Sequence, residues 1–173
     1  MRSVFVPNLH VDSFSDIDTQ ELLDSGVRGI IFDLDNTLIS WGKYEVTDEL
    51  LEKIANLKKN GFRICIVSNN SGAKIKEFAN QLEVPIIQKA RKPSRRPFYR
   101  AMKLMSTKPE ETVMVGDQIF TDIVGGNRSG LFTILVLPIS KIEFVGTRVT
   151  RFFERIVLKH FRNRGYMNHT NQQ

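Results

Sequence analysis

The sequence contains a single cysteine, Cys65, so no intrachain disulfide can form. Cys65 lies in the apolar run Phe62–Val67, where a small core residue is the ordinary role and a reactive thiol the rarer one. Long apolar runs are also missing: Ile30–Phe32 and Ile134–Leu137 are far too short to span a bilayer. The opening Met1-Arg-Ser-Val-Phe-Val-Pro lacks the apolar core of a secretory signal, which makes the cytoplasm the expected compartment. Histidine is scarce, and His10, His160 and His169 lie at no metal-ligand spacing, which argues against a zinc site. There is no internal repeat and no low-complexity segment. What remains is an ordinary balance of 41% hydrophobic and 25% charged residues over 173 positions, enough for one domain with a buried core.

The net charge of +6 is unevenly spread. Lys89 to Lys103 holds Lys89, Arg91, Lys92, Arg95, Arg96, Arg100 and Lys103 with no acid. Arg148 to Arg164 holds Arg148, Arg151, Arg155, Lys159, Arg162 and Arg164 against Glu154 alone. The rest of the chain is therefore acidic on balance. Such patches suit phosphate groups, an anionic membrane surface or nucleic acid, although either could also be a solvated face.

Short apolar runs alternate with helical patterns along the chain. Val27–Leu34, Phe62–Val67, Val84–Ile87, Thr112–Val115 and Leu131–Leu137 read as strands, several apolar almost throughout, as parallel strands covered on both faces are. Thr47–Lys59, Ser71–Gln81, Arg96–Met105 and Phe120–Arg128 carry helical spacing. The alternation predicts an α/β fold, a doubly wound, Rossmann-like and mainly parallel sheet. Ligands of such sheets bind beyond the carboxyl ends of the strands.

Four motifs fall at those ends. Asp33-Leu-Asp35-Asn-Thr37 follows Gly29-Ile-Ile-Phe32; two acids two residues apart repel unless a cation or a shared proton relieves them. Ser68-Asn69-Asn70-Ser71-Gly72 offers a hydroxyl and backbone N–H groups suited to a phosphate oxygen. Lys92-Pro93 offers a point charge for a phosphoryl group. Gly116-Asp117-Gln-Ile-Phe-Thr-Asp122 offers acids suited to a hard, oxygen-preferring cation such as magnesium. Taken singly, each also has a plainer explanation as an acidic turn, a helix cap or a solvated lysine.

Together and in this order, the four motifs resemble those of the haloacid dehalogenase phosphatases, over roughly residues 27 to 137. The resemblance implies that Asp33 is the nucleophile that becomes an aspartyl phosphate and that Asp35 is the general acid/base. It implies that Ser68 and Lys92 stabilise the phosphoryl group. Asp33, the backbone carbonyl of Asp35, and Asp117 are then the ligands of Mg2+, with Asp122 supporting the metal shell or Lys92. Thr37 and Asn69 are carried over as substrate-contacting positions within the same motifs. In that chemistry a carboxylate nucleophile splits hydrolysis into two displacements. Asp35 protonates the leaving alkoxide and then activates water.

Many such enzymes carry a cap domain over the site. Here Asp35 to Ser68 already holds a helix and a strand, and so does Ser68 to Lys92, so no cap domain fits in either place. Only Ile39–Val46 can lie over the mouth; within it Trp41, Lys43 and Tyr44 are candidates to touch the leaving group, with core packing the alternative for Trp41. An open site suits a large or surface-displayed substrate. The opening Pro7-Asn-Leu-His-Val-Asp-Ser-Phe-Ser-Asp-Ile17, the Gly29–Leu38 block and the Lys92-Pro93 step further resemble the YqeG-type bacterial phosphatases, which are similar to the mitochondrial phosphatidylglycerophosphate phosphatases. That likeness implies a lipid substrate, phosphatidylglycerophosphate, yielding phosphatidylglycerol.

Residues 1–147 are expected to form the phosphatase domain, 148–164 a basic amphipathic helix and 165–173 a disordered tail. On that helix Val149, Phe152, Phe153, Ile156, Val157 and Phe161 share one stripe, which would lie in an anionic membrane surface or pack on the sheet. A peripheral contact at the inner membrane surface is thus a candidate partner interaction. Two other classes compete. A receiver-like signalling domain normally has its acceptor on a middle strand, whereas Asp33 is expected after the first core strand. An RNA- or ribosome-binding module would use the basic patches and leave the four acid positions without a role.

Overall fold

The computed structural model describes residues 3–140; the expected helix at 148–164 and the tail at 165–173 lie outside the described residues. Among the described residues six strands form one sheet: β1 (Leu9–Val11), β2 (Gly29–Phe32), β3 (Arg63–Val67), β4 (Ile86–Ile87), β5 (Thr112–Gly116) and β6 (Phe132–Val136). Their order is β1-β6-β5-β2-β3-β4, and every pairing is parallel. The doubly wound α/β expectation therefore holds.

The apolar runs split by parity, as a strand's period of two requires. Ile30, Phe32, Ile64, Ile66, Val113 and Val115 face one side. There they meet Leu50, Ile54 and Leu57 of α2 (Asp48–Lys59) and Ile75 and Phe78 of α3 (Ala73–Gln81). Ile31, Cys65, Val67 and Met114 face the other side, against Phe98, Ala101, Met102 and Met105 of α4 (Arg96–Met105). Covering both faces explains why these strands carry no polar alternation. Cys65 is fully buried, and burial pushes its thiol up to about 12 against a smaller opposing effect of Arg100. It is a core residue, not a nucleophile.

Several boundaries differ from the sequence pattern. Strand β1 and helix α1 (Thr19–Asp24) were not expected. Strand β1 is a half-buried edge strand of three residues on β6, and α1, capped by Asp18 on the N–H groups of Gln20 and Glu21, is six residues long. Both are too short for periodicity to show. Asp33 consequently follows the second strand of the chain, not the first. Strand β4 is confined to Ile86–Ile87; the Val84 N–H is taken by the Ala79 carbonyl of α3 at 3.0 Å and is not available to the sheet. The expected helix at 120–128 opens as a wider π-type turn, Ile119–Ile123, before α5 (Val124–Arg128). Helix α2 begins where expected: the Thr47 hydroxyl accepts the Leu50 N–H.

Between Asp35 and Ser68 the described chain holds only α2, β3 and their turns, and between Ser68 and Lys92 only α3 and β4. No cap domain is inserted at either place, and the mouth beyond the strand ends is open. None of the described helices is long and apolar enough to cross a membrane.

Candidate active site

The strand order brings the motifs together. Strand β2 lies between β3 and β5, so the segments after these three strands are neighbours at one edge of the sheet. The Asp33 N–H donates to the Val115 carbonyl at 2.9 Å, which continues the β2–β5 ladder up to the acid. After Asp35 the chain turns on Asn36, whose φ of 65° is left-handed, a conformation asparagine tolerates better than most residues. The Asn36 Oδ1 accepts the Trp41 N–H at 3.3 Å and so holds the Ile39–Val46 segment against the mouth.

Lys92 crosses from the β4–α4 loop to the centre. Its Nζ donates to Asp33 Oδ1 at 2.5 Å and to Asp122 Oδ1 at 2.7 Å, and all three side chains are buried. The Lys92 backbone is held in place by Asn69: its N–H donates to Asn69 Oδ1 at 2.7 Å, and Asn69 Nδ2 donates back to the Lys92 carbonyl at 3.3 Å. Two carboxylates raise the Lys92 ammonium well above its usual range, overcoming the effect of burial, so it stays charged. Asp33 moves the other way from an ordinary acid. Burial is the largest cause and the charges of Asp122 and Asp35 add to it; with Lys92 opposing, Asp33 is pushed up to about 7.

One carboxylate oxygen from each of Asp33, Asp117 and Asp122 falls within a group spanning 4.8 Å. Three buried carboxylates against one ammonium carry more negative charge than Lys92 neutralises, and all the donors are hard oxygens. The set therefore fits a divalent cation of the magnesium kind better than a softer metal. Both oxygens of Asp122 are engaged. Its Oδ1 takes Lys92 and its Oδ2 takes the Gln118 N–H at 3.1 Å, so its part is to place Lys92.

Asp35 stands apart from this cluster. Asn70 Nδ2 donates to its Oδ2 at 2.8 Å and the Tyr44 hydroxyl to its Oδ1 at 3.3 Å. Tyr44 is pushed up to about 12 by partial burial and by Asp35, so it remains a proton-bearing donor. Two acids two residues apart thus sit in different surroundings, one on an ammonium and one on neutral donors. Such a split separates acid/base roles.

The open cavity is lined by Asp33, Asp35, Ser68, Asn69 and Lys92 among the residues read from the sequence, and Trp41 stands at its rim, more than a third exposed, instead of packing in the core. Thr37 is not on that surface. It is buried, and its hydroxyl donates to Asp117 Oδ1 at 3.4 Å, which makes it a prop for the acid. Lys43 is exposed and outside the lining. Of the two partners of Asp35, Tyr44 was a sequence candidate for touching the leaving group and here donates to the acid, whereas Asn70, and Gln118 and Thr121 in the lining, were not assigned from sequence. Asn70 and Tyr44 lay inside the flagged segments, but nothing in linear spacing pairs them with Asp35.

Gly116 sits where β5 turns toward the site, and a Cβ built on it would collide with the Asp122 carboxylate. Gly116→Ala is expected to push Asp122 off Lys92 and to cut turnover on the order of 10²-fold, the scale of a misplacement of about 1 Å. Phosphate release by the purified variant, with a thermal melt to show that it is folded, checks this. Unchanged turnover would mean that the Asp122–Lys92 contact does not matter.

Three comparisons bear on the site. The family described as Mitochondrial PGP phosphatase matches residues 1–139. The chain is 39% identical to a Bacillus subtilis protein named probable phosphatase YqeG, over 96% of this chain and 97% of that protein. It is 30% identical to the Arabidopsis thaliana phosphatidylglycerophosphate phosphatase 1, chloroplastic/mitochondrial, over 95% of this chain but only 50% of that longer protein. In fold it is similar to the cobalt-bound form of the deoxy-D-mannose-octulosonate 8-phosphate phosphatase from Haemophilus influenzae. That likeness has a TM-score of 0.51 at 13% identity and covers 64% and 68% of the two chains.

Proposed function

We infer the reaction from this premise: the chain belongs to the mitochondrial PGP phosphatase family and is a phosphatase of the haloacid dehalogenase type. On our reading it is a magnesium-dependent phosphomonoester hydrolase that acts through an aspartyl phosphate, with phosphatidylglycerophosphate as substrate. The observation that carries the reading is the division of the acids, Asp33 on Lys92 beside Asp117 and Asp35 on Asn70 and Tyr44.

In the first step an Asp33 carboxylate oxygen bonds to phosphorus while the ester P–O bond breaks, and Asp35 gives its proton to the departing alkoxide. Lys92 offsets the charge on the phosphoryl oxygens, and Ser68 and Asn69 line the same surface. In the second step Asp35 takes a proton from water, whose oxygen bonds to phosphorus. The bond to Asp33 breaks, freeing orthophosphate and the carboxylate. Magnesium held by Asp33, Asp117 and the Asp35 carbonyl would supply further charge neutralisation at the phosphoryl group.

The lipid part of the reading is supported by the 30% identity to the Arabidopsis enzyme and by the open mouth. Exposed Trp41, Leu137 and Ile139 stand at the carboxyl edge of the sheet, where a headgroup would approach. We further place residues 148–164 as a peripheral contact with an anionic bilayer, which would keep the enzyme cytoplasmic and reversibly at the inner membrane surface. Each basic residue near such a surface contributes about 1 kcal/mol, so binding of the full chain to anionic vesicles is expected at low salt and lost at high salt.

The decisive experiment is a phosphate-release screen over phosphatidylglycerophosphate, sugar phosphates and nucleotides. Activity is expected on the lipid, absent in chelator, restored by magnesium and poorly supported by calcium, whose looser shell would misplace the nucleophile. Full activity in chelator would sink the metal. A soluble sugar phosphate or nucleotide preferred over the lipid would sink the substrate.

A further inference from the structure

Among the described residues, five other than glycine have a left-handed backbone: Asn36, Glu83, Lys89, Arg91 and Ser106. Three have local reasons. Asn36 is an asparagine, Ser106 caps the end of α4, and Glu83 follows Leu82, the C-cap of α3. Lys89 (φ 50°) and Arg91 (φ 59°) have none: they flank a buried alanine in the β4–α4 loop, where glycine would be the least strained choice. Strained positions persist where the surroundings over-determine them, and these surroundings do. The Lys89 N–H donates to the Asn70 carbonyl at 3.2 Å, the Ala90 N–H to the Ser68 carbonyl at 3.0 Å, and the Lys92 N–H to Asn69. The loop is thus laced, residue by residue, onto the segment that lines the cavity.

Both side chains are exposed, neither lines the cavity itself, and residues 88–109 contain no acid. Among the described residues neither makes a salt bridge. Arg95, by contrast, is taken up by Tyr99 through its hydroxyl and its ring. Two exposed cations therefore spring from a backbone fixed against the segment that lines the cavity, which already has its own phosphate-facing lysine.

The geometry points to a second anion subsite, formed by Lys89 and Arg91, that binds a further phosphate of the substrate while its terminal phosphomonoester lies at Asp33. Its ligand class is a phosphomonoester carrying a phosphodiester or second phosphate a short linker away. The inference rests on Asp33 as the phosphate-accepting centre, and it deepens the substrate reading above.

The test uses the full chain turning over an aryl phosphate, with two soluble competitors. Glycerol 3-phosphate has one phosphomonoester; deacylated glycerophosphoglycerophosphate has the same group plus a phosphodiester and no acyl chain. Scoring both as competitors registers binding whether or not they turn over. The wild-type chain is expected to bind the second compound tighter, on the order of tenfold or more for a charge-assisted contact. Lys89→Gly with Arg91→Gly should bring the two inhibition constants together, with a melting temperature unchanged or raised because glycine relieves the backbone. A wild-type chain that does not separate the two compounds, or a double variant that still does, overturns the subsite. So does a double variant that keeps the separation in solution and loses activity only on anionic vesicles, since the cations then meet the bilayer. If the separation is seen and depends on both residues, yet phosphatidylglycerophosphate in vesicles is not hydrolysed, the subsite stands and the lipid substrate falls.

Discussion

Asp33→Asn should abolish phosphate release, by a factor on the order of 10⁴ or more, the scale seen when a covalent nucleophile is removed. The amide has the shape of the carboxylate but cannot form an acyl phosphate. Its oxygen can still accept the Lys92 ammonium, so the 2.5 Å contact has a successor and the fold should survive. Stability supplies a second readout, taken in chelator. Asp33 is pushed up to about 7, burial being the main cause, whereas in the unfolded chain it titrates near 4. Between about pH 4 and 7 the folded wild type therefore binds more protons than the unfolded chain, and its stability falls as pH rises through that window. Asparagine does not titrate, so this share of the fall should be missing from the variant's melting temperature profile. Substantial turnover by the purified variant would remove Asp33 from the nucleophile's place.

The parts legible in the sequence are those whose cause is local or periodic. Ile30 to Phe32, Ile64 to Val67 and Val113 to Val115 are apolar on both parities because helices cover both faces, and that pattern needs no neighbour to be seen. Strand β1 and helix α1 escaped because three and six residues give no period. The positions of Asp33, Ser68, Lys92 and Asp117 were readable as motifs at strand ends, and the order β5-β2-β3 brings three of the four segments side by side. What the motifs could not show is which group holds which. Thr37 reads like a substrate contact, but its buried hydroxyl is spent on Asp117. Asn69 lines the cavity and also fixes the Lys92 backbone across 23 residues of sequence. The wider turn at Ile119–Ile123 replaces a regular helix start, and within it Asp122 reaches both the Gln118 N–H and Lys92.

The second large effect belongs to Asp35, and its sign depends on the leaving group. Asp35→Asn keeps the shape: the new side-chain oxygen can accept from Asn70, and its amide can donate to the Tyr44 oxygen. The fold and the phosphate-facing groups on Lys92 should be untouched. What is lost is proton transfer, which contributes about 10²–10⁴-fold. With an alkyl phosphate the first step needs that proton, because an alkoxide is a poor leaving group, so the variant should be slow before any intermediate forms. With an aryl phosphate the phenolate leaves without help, and the loss falls on the second step, where water must be deprotonated. The variant should then release one equivalent of phenolate in a burst and accumulate phosphorylated protein, visible as an added phosphoryl mass that disappears when Asp33→Asn is combined with it. Normal steady-state turnover of an alkyl phosphate by Asp35→Asn would show that the acid/base is another group. Slow turnover of an aryl phosphate with no burst would place the loss before the intermediate and give Asp35 a role in binding instead of proton transfer.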